Sequence, residues 1–175
     1  MRIQHEVVID RPIEDVWAFM EDLHNYRQWQ SGLVAMQQIS AEPMSAGARI
    51  ALVHQFLGRR LDLIVEVTVY EPGRAFAAKV TAGPVRFSGM WRYELVDGAR
   101  TRISGLIEGE TEGFFKVTEP LVAHAAKRQI DADCTTLKEL IEASSAAPRN
   151  DPGMPSAYNA PETTRGCESK ASFGR

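Results

Sequence analysis

The dipeptide Asp97-Gly98, between Tyr93-Glu94-Leu95 and Thr101-Arg102-Ile103, is the strongest hairpin signal in this chain. Two strand-like runs joined so closely can only fold back on one another, side by side and antiparallel. A type I′ turn, which wants positive φ at both central residues, is expected there. Two further breaks act in the same way. Gly58-Arg59 separates Arg49–Leu57 from Arg60–Tyr70 as a tight hairpin. Pro72-Gly73 suits a type II turn, with proline at its second position and glycine taking the positive φ at its third. Residues 33–111 therefore read as six consecutive antiparallel strands, a meander.

The flanks complete the order of elements. Residues 3–9, Ile-Gln-His-Glu-Val-Val-Ile, read as a short strand. Pro12 then opens a helix, since its missing N–H costs nothing in a first turn. Glu14 and Asp15 complement the helix dipole, and Ile13, Val16, Trp17 and Met20 share one apolar face. A second short helix is expected over Leu23–Trp29. After the meander, Gly113–Ala143 reads as one long helix, or as two pieces broken near Pro120. Ile130, Cys134, Leu137 and Ile141 form its apolar stripe. At 1.5 Å per residue, about 24–30 residues span roughly 36–45 Å, enough to cross a sheet. The expected class is α+β: a seven-stranded curved antiparallel sheet wrapped around a long C-terminal helix, with two short helices after the first strand.

Composition bounds the rest. Residues 1–143 carry the periodic patterns, whereas 144–175 contain no Val, Leu or Ile and hold four prolines and five serines. Such a segment cannot bury enough apolar surface to offset its ordering entropy, so it is expected to be a disordered tail, with Cys167 a bystander in it. The net charge of −3 excludes the basic stripe of a general nucleic-acid binder. No run of 18 apolar residues occurs, so no stable membrane insertion is expected, and the first residues lack the apolar core of a signal peptide. Two cysteines exclude a disulfide framework and make a reduced, cytoplasmic setting the default. A homodimer is possible.

Three segments together carry a family likeness: Pro12-Ile13-Glu14-Asp15-Val16-Trp17-Ala18-Phe19, Asn25-Tyr26-Arg27-Gln28-Trp29 and Tyr70-Glu71-Pro72-Gly73-Arg74. With the ending Leu137-Lys138-Glu139-Leu140-Ile141-Glu142, the chain resembles the polyketide cyclase/dehydrase-like branch of the START-related superfamily over about residues 1–143. The resemblance implies a helix-grip fold enclosing an apolar cavity. It also implies binding of lipids, sterols, polyketides or other hydrophobic small molecules. Only some members are enzymes, and none of this chain's residues inherits a catalytic role from it.

Charge parity sets which strand faces point inward. With Arg60, Asp62 and Glu66 outward, Leu61, Leu63, Val65, Val67 and Val69 point in. With Arg86, Arg92 and Glu94 outward, Val85, Phe87, Trp91, Tyr93 and Leu95 point in. The same rule turns Ile50, Leu52, His54 and Phe56 inward, then Phe76, Ala78 and Val80, then Ile103, Gly105 and Ile107. The expected ligand-binding set is Leu52, His54, Phe56, Leu63, Val65, Phe76, Phe87, Trp91 and Tyr93, with Leu121 from the helix. Such apolar walls with sparse polar points describe a small-molecule pocket. Periodicity alone favours a solid core, since packed interiors leave few voids; the resemblance reverses that preference, because it implies a space between sheet and long helix that stays at least partly open.

Few groups on that face can do chemistry. His5, His24, His54 and His124 are scattered, and a zinc site needs three or four converging ligands, so no metal and no other cofactor is expected. His54 and Tyr93 are the catalytic candidates: His54 could hydrogen-bond a ligand or act as general acid/base near neutral pH. A strand histidine satisfied by a neighbour, and a tyrosine bonded to backbone, explain the same residues without function. His124 and Arg128, four apart, could rim a cavity or simply face solvent. Trp17 and Trp29 are read as structural, with Trp29 near the cavity mouth. Three functions stay open: a carrier or sensor of a hydrophobic small molecule, a polyketide cyclase or dehydratase using the same cavity, and a protein-interaction module.

Overall fold

Seven strands form one antiparallel sheet in the computed structural model, which describes residues 1–41, 43–110 and 119–144. They are β1 (Arg2–Ile9), β2 (Leu33–Gln38), β3 (Arg49–Phe56), β4 (Arg59–Glu71), β5 (Ala75–Ala82), β6 (Arg86–Leu95) and β7 (Thr101–Glu110). Their order across the sheet is β1-β7-β6-β5-β4-β3-β2, so β2 to β7 form the meander and β1 closes it beside β7. Between β1 and β2 lie α1 (Ile13–Glu21), a 3₁₀ turn (Leu23–Asn25) and α2 (Tyr26–Trp29). Helix α3 (Glu119–Ser144) follows the sheet; its 26 residues make it about 39 Å long. The expected helical stretch 113–118, and all of the expected tail except Ser144, lie outside the described residues. Ser144 itself is the last residue of α3.

The turns depart from expectation in one respect. The type I′ geometry belongs to Leu57-Gly58, where both residues have positive φ, +47° and +73°, and Phe56 pairs with Arg59. At the Asp97 hairpin only Gly98 has positive φ. Val96 N–H donates to Arg100 O at 2.8 Å, so that hairpin closes over three residues and does not need two left-handed ones. Pro72-Gly73 adopts the expected turn, with Gly73 at φ +69° and Arg74 N–H donating to Glu71 O at 2.9 Å.

Inward parity holds along most strands and breaks at a bulge. Register shifts between Val67 and Val69 of β4, so Val69 pairs with Ala77 and Tyr70 pairs with Phe76. Phe76 stays inward, and the bulge brings Tyr70 to the inner face in place of the expected Val69. Leu95, also expected inward, is 53% exposed because it is the last residue of its strand, at the sheet margin.

Helix α1 decides which part of the concave face is solid. Pro12 stands at its N-cap in extended conformation, one position before the helix it was expected to open. Val16, Trp17 and Met20 are buried as their spacing predicts. They pack with Ile9, Tyr93, Ile103, Leu137 and Ile141 into one core. The Trp17 ring lies 5.3 Å from Tyr93 and 5.7 Å from Tyr70, centroid to centroid. The C-terminal half of α3 is fastened to β1 and the residue after it by polar contacts: Lys138 Nζ donates to Val8 O at 2.7 Å, and Asp10 N–H donates to Glu142 Oε1 at 2.7 Å. Beyond the reach of Trp17, the sheet and the first half of α3 face each other across a gap that α2, packed against α3 and β2, flanks with Tyr26 and Trp29.

Candidate functional site

That unfilled half is a cavity of about 300 Å³, at the small end of the range for small-molecule sites. One stripe of α3 serves both halves. Leu137 and Ile141 pack into the core, whereas Val122, Ala126, Ile130 and Cys134 face the cavity one turn apart. Strand β3 contributes Ile50, Leu52, His54 and Phe56, and β4 contributes Leu61, Leu63 and Val65. The wall continues through Phe76 and Ala78 of β5, Phe87 and Trp91 of β6, and Ile107 of β7.

Of the residues expected to line the site, Leu52, His54, Phe56, Leu63, Val65, Phe76, Phe87 and Trp91 lie together on this wall. Two do not. Tyr93 points inward as its parity requires, but Trp17 covers it and shuts it into the core; burial raises its pKa well above the ordinary value. Leu121 is 66% exposed, because the cavity-facing stripe runs through Val122, a helical step of 100° away. His124 and Arg128 are exposed and not on the wall, and Thr101 spends its hydroxyl on Arg11 O at 2.7 Å. Trp29 is buried at 5% exposure and belongs to the wall.

His54 sits in a polar corner that the loop after α2 builds. An ideal Cβ placed on Gly32 would fall 2.2 Å from His54 Cε1, 2.7 Å from Gln129 Nε2 and 2.7 Å from Gln55 O. Glycine is therefore required there, and the two side-chain atoms lie within about 5 Å of one another. Asp133, 7% exposed, accepts the Ser31 backbone N–H at 3.1 Å. Burial raises the Asp133 carboxyl pKa, against the Ser31 bonds and the nearby His54. Burial likewise lowers the His54 pKa, with Asp133 opposing. The corner thus holds a histidine kept neutral near pH 7 beside a carboxyl group of reduced acidity.

A second histidine enters from the opposite edge of the sheet. His5 is 8% exposed on β1 and packs edge-on against Trp91, centroids 5.9 Å apart. Its cross-strand partner is Gly105, where any Cβ would lie 1.8 Å from His5 Cε1. Burial lowers the His5 pKa; Lys127 lowers it further and Asp131 opposes. Among the described residues, His5 Nδ1 and Trp29 Nε1 are buried and have no hydrogen-bond partner.

Sequence reasoning passed over His5, Asp133 and Gln129. Parity would have found His5, which alternates with Gln4 and Glu6 and so shares the face of Ile3 and Val7. Asp133, three residues after Ile130, breaks an apolar helix stripe, and that interruption was its signal. Among the described residues, no three His, Cys, Asp or Glu side chains are grouped to hold a metal ion. No described helix is long and apolar enough to cross a membrane.

Residues 1–142 match the family described as polyketide cyclase / dehydrase and lipid transport. The chain belongs to that family. Among curated proteins, none matches it in sequence. Solved structures match its fold closely. TTHA0849 from Thermus thermophilus superposes with a TM-score of 0.71 at 20% identity, covering 83% of this chain and 99% of that one. A START superfamily protein from Mycobacterium smegmatis gives 0.68 at 13% identity, covering 82% and 98%. The Zhui aromatase/cyclase from a Streptomyces species gives 0.68 at 17%, covering 83% and 95%. At these identities the likeness establishes the curled sheet gripping a C-terminal helix, and the fold alone.

Proposed function

We propose that this family member binds a hydrophobic small molecule, lipid- or polyketide-like, in the cavity between sheet and α3, as a carrier or sensor. One observation carries the reading: an apolar-walled cavity of about 300 Å³ persists where a solid core could have formed. The proposal takes the protein to be cytoplasmic, on its cysteine usage, and to have no nucleic-acid partner, on its charge. A hydrophobic fluorescent probe should bind with micromolar affinity, about −8 kcal/mol. Phe87→Arg, on the wall, should abolish most of that binding by placing an unpaired charge there. Unchanged binding by a folded Phe87→Arg protein would refute the site. A native mass spectrum of protein purified from its own host would name the ligand class.

A second reading, a cyclase or dehydratase acting in the same cavity, is favoured by the His54–Asp133 corner, which brings two titratable groups to one wall. His54→Ala separates the two. A carrier loses at most one hydrogen bond, about 0.5–1.5 kcal/mol of affinity. An enzyme loses turnover by about 10²–10⁴-fold while still binding.

A further inference from the structure

We infer that the ligand is a neutral apolar molecule bearing hydroxyl or carbonyl oxygen, and that Trp29 Nε1–H and the His5 imidazole are each placed to recognise such an oxygen. The inference rests on the cavity being the ligand site, and adds the chemistry of what enters it.

Two polar atoms set the requirement. Trp29 is 5% exposed and His5 8%, and both line the cavity. Trp29 Nε1 and His5 Nδ1 are each buried and without a hydrogen-bond partner among the described residues. Buried polar atoms are normally paired, because leaving one unpaired costs its full desolvation. The indole nitrogen is only a donor and needs an acceptor oxygen. The imidazole nitrogen donates or accepts according to tautomer, and a hydroxyl satisfies either. A hydrocarbon satisfies neither.

The charge on the wall excludes an anion. Besides Trp29, the polar side chains on the wall are Tyr26, Gln30 and Gln129, the histidines His5 and His54, the acid Asp133, and Arg86. Burial disfavours the protonated form of both histidines, and Asp133 is an acid. Lys127, which acts on His5 from α3, is paired with Asp131 one turn on. The cations at the cavity face backbone carbonyls: Arg86 is exposed and donates to Gly83 O at 3.2 Å, and the Met1 amine donates to Gly109 O at 2.8 Å. A carboxylate drawn inside would exchange water for neutral groups and an acid, an unfavourable transfer.

The two anchors come from different elements, α2 and β1, which both pack against α3. Trp29 ends α2, and His5 lies on the edge strand β1, fitted into the space Gly105 leaves. Between them runs the apolar wall, so the ligand is apolar over most of its surface and polar at a minority of points.

Three compounds on one skeleton test this: naphthalene, 1-naphthol and 1-naphthoate, each competed at pH 8 against a bound fluorescent probe. Naphthol should bind about two- to twelvefold more tightly than naphthalene, the range of one neutral hydrogen bond, with naphthoate weakest. Trp29→Phe keeps the ring and deletes the N–H, so naphthol should lose its advantage while naphthalene is little changed. In wild-type protein, the indole proton that disappears in Trp29→Phe should move downfield with naphthol and not with naphthalene; if Trp29→Phe fails to fold, the three wild-type affinities still decide. Equal affinities for naphthalene and naphthol, or tightest binding of naphthoate, would overturn the inference and leave the cavity reading standing. Failure of all three to displace the probe would overturn both.

Discussion

Gly105→Ala should disturb this protein far more than a single methyl in a strand ordinarily does. Gly105 is not among the positive-φ glycines, so its backbone accepts alanine, and glycine in a strand interior costs about 0.5–1 kcal/mol relative to alanine. Conformation alone therefore predicts a slight gain. Space predicts the opposite: the new Cβ would stand 1.8 Å from His5 Cε1 and 1.9 Å from Nε2, well inside contact distance. The ring must leave its seat against Trp91 or the strands must part, and overpacking of this kind costs about 1–3 kcal/mol. For a domain of this size that lowers the melting midpoint by about 2–10 °C. Thermal unfolding of four proteins measures it: wild type, Gly105→Ala, His5→Ala and the double variant. Since the methyl and the ring compete for one place, the double variant should recover about 0.5–3 kcal/mol relative to the sum of the singles. A neutral or stabilising Gly105→Ala, or additive single variants, would show that His5 does not occupy this space and would remove one polar anchor from the cavity.

The sequence reached the architecture because the signals for it are local. Turn residues at 58, 73 and 98 and alternating charge along each strand fix neighbours and faces without knowledge of distant contacts. Where a feature depended on register, sequence fell short. The bulge at Thr68 inverts parity for the end of β4, and no residue type there announces it. The division between core and cavity depended on how far α1 reaches. Tyr93 and Trp91 are two residues apart on one face, yet Trp17 covers the first while the second lines the cavity. Leu121 failed for a related reason, since the phase of a helix over a sheet is set by packing, and the adjacent apolar residues Leu121, Val122 and Ala123 near its start do not single out one face. The polar corner was the least legible. Gly32, His54, Gln129 and Asp133 come from a loop, a strand and a helix, and only the fold brings them together.

Four further outcomes follow from these placements. Trp17→Ala, which empties the core between α1 and the two tyrosines, should cost about 3–5 kcal/mol in denaturant unfolding, and a loss below about 1 kcal/mol would contradict the packing described. Removal of residues 145–175, which contain no Val, Leu or Ile, should leave the thermal midpoint within a degree or two; a larger fall would mean that the segment docks on the domain. Gly32→Ala should weaken probe binding as well as stability, because Gln55 O at 2.7 Å is backbone and cannot swing aside as the His54 ring can; full retention of both would remove Gly32 from the polar corner. The last outcome concerns pH. His5 and His54 have folded-state pKa values below the ordinary 6.5, chiefly from burial, so below that pH the unfolded chain binds more protons than the folded one. Stability should therefore be full above about pH 6.5 and decline as pH falls from there, before the ordinary range of carboxylate protonation near pH 4 is reached. Asp133 acts with the opposite sign, since its raised pKa lets the folded chain take up a proton before the unfolded one does as pH falls toward the ordinary carboxylate range. Unfolding free energies at pH 5.5 and 7.5 should show a smaller difference in His54→Ala than in wild type. An equal difference would mean that the His54 imidazole is as free to charge in the folded protein as in water, and that the corner is wet and open rather than buried.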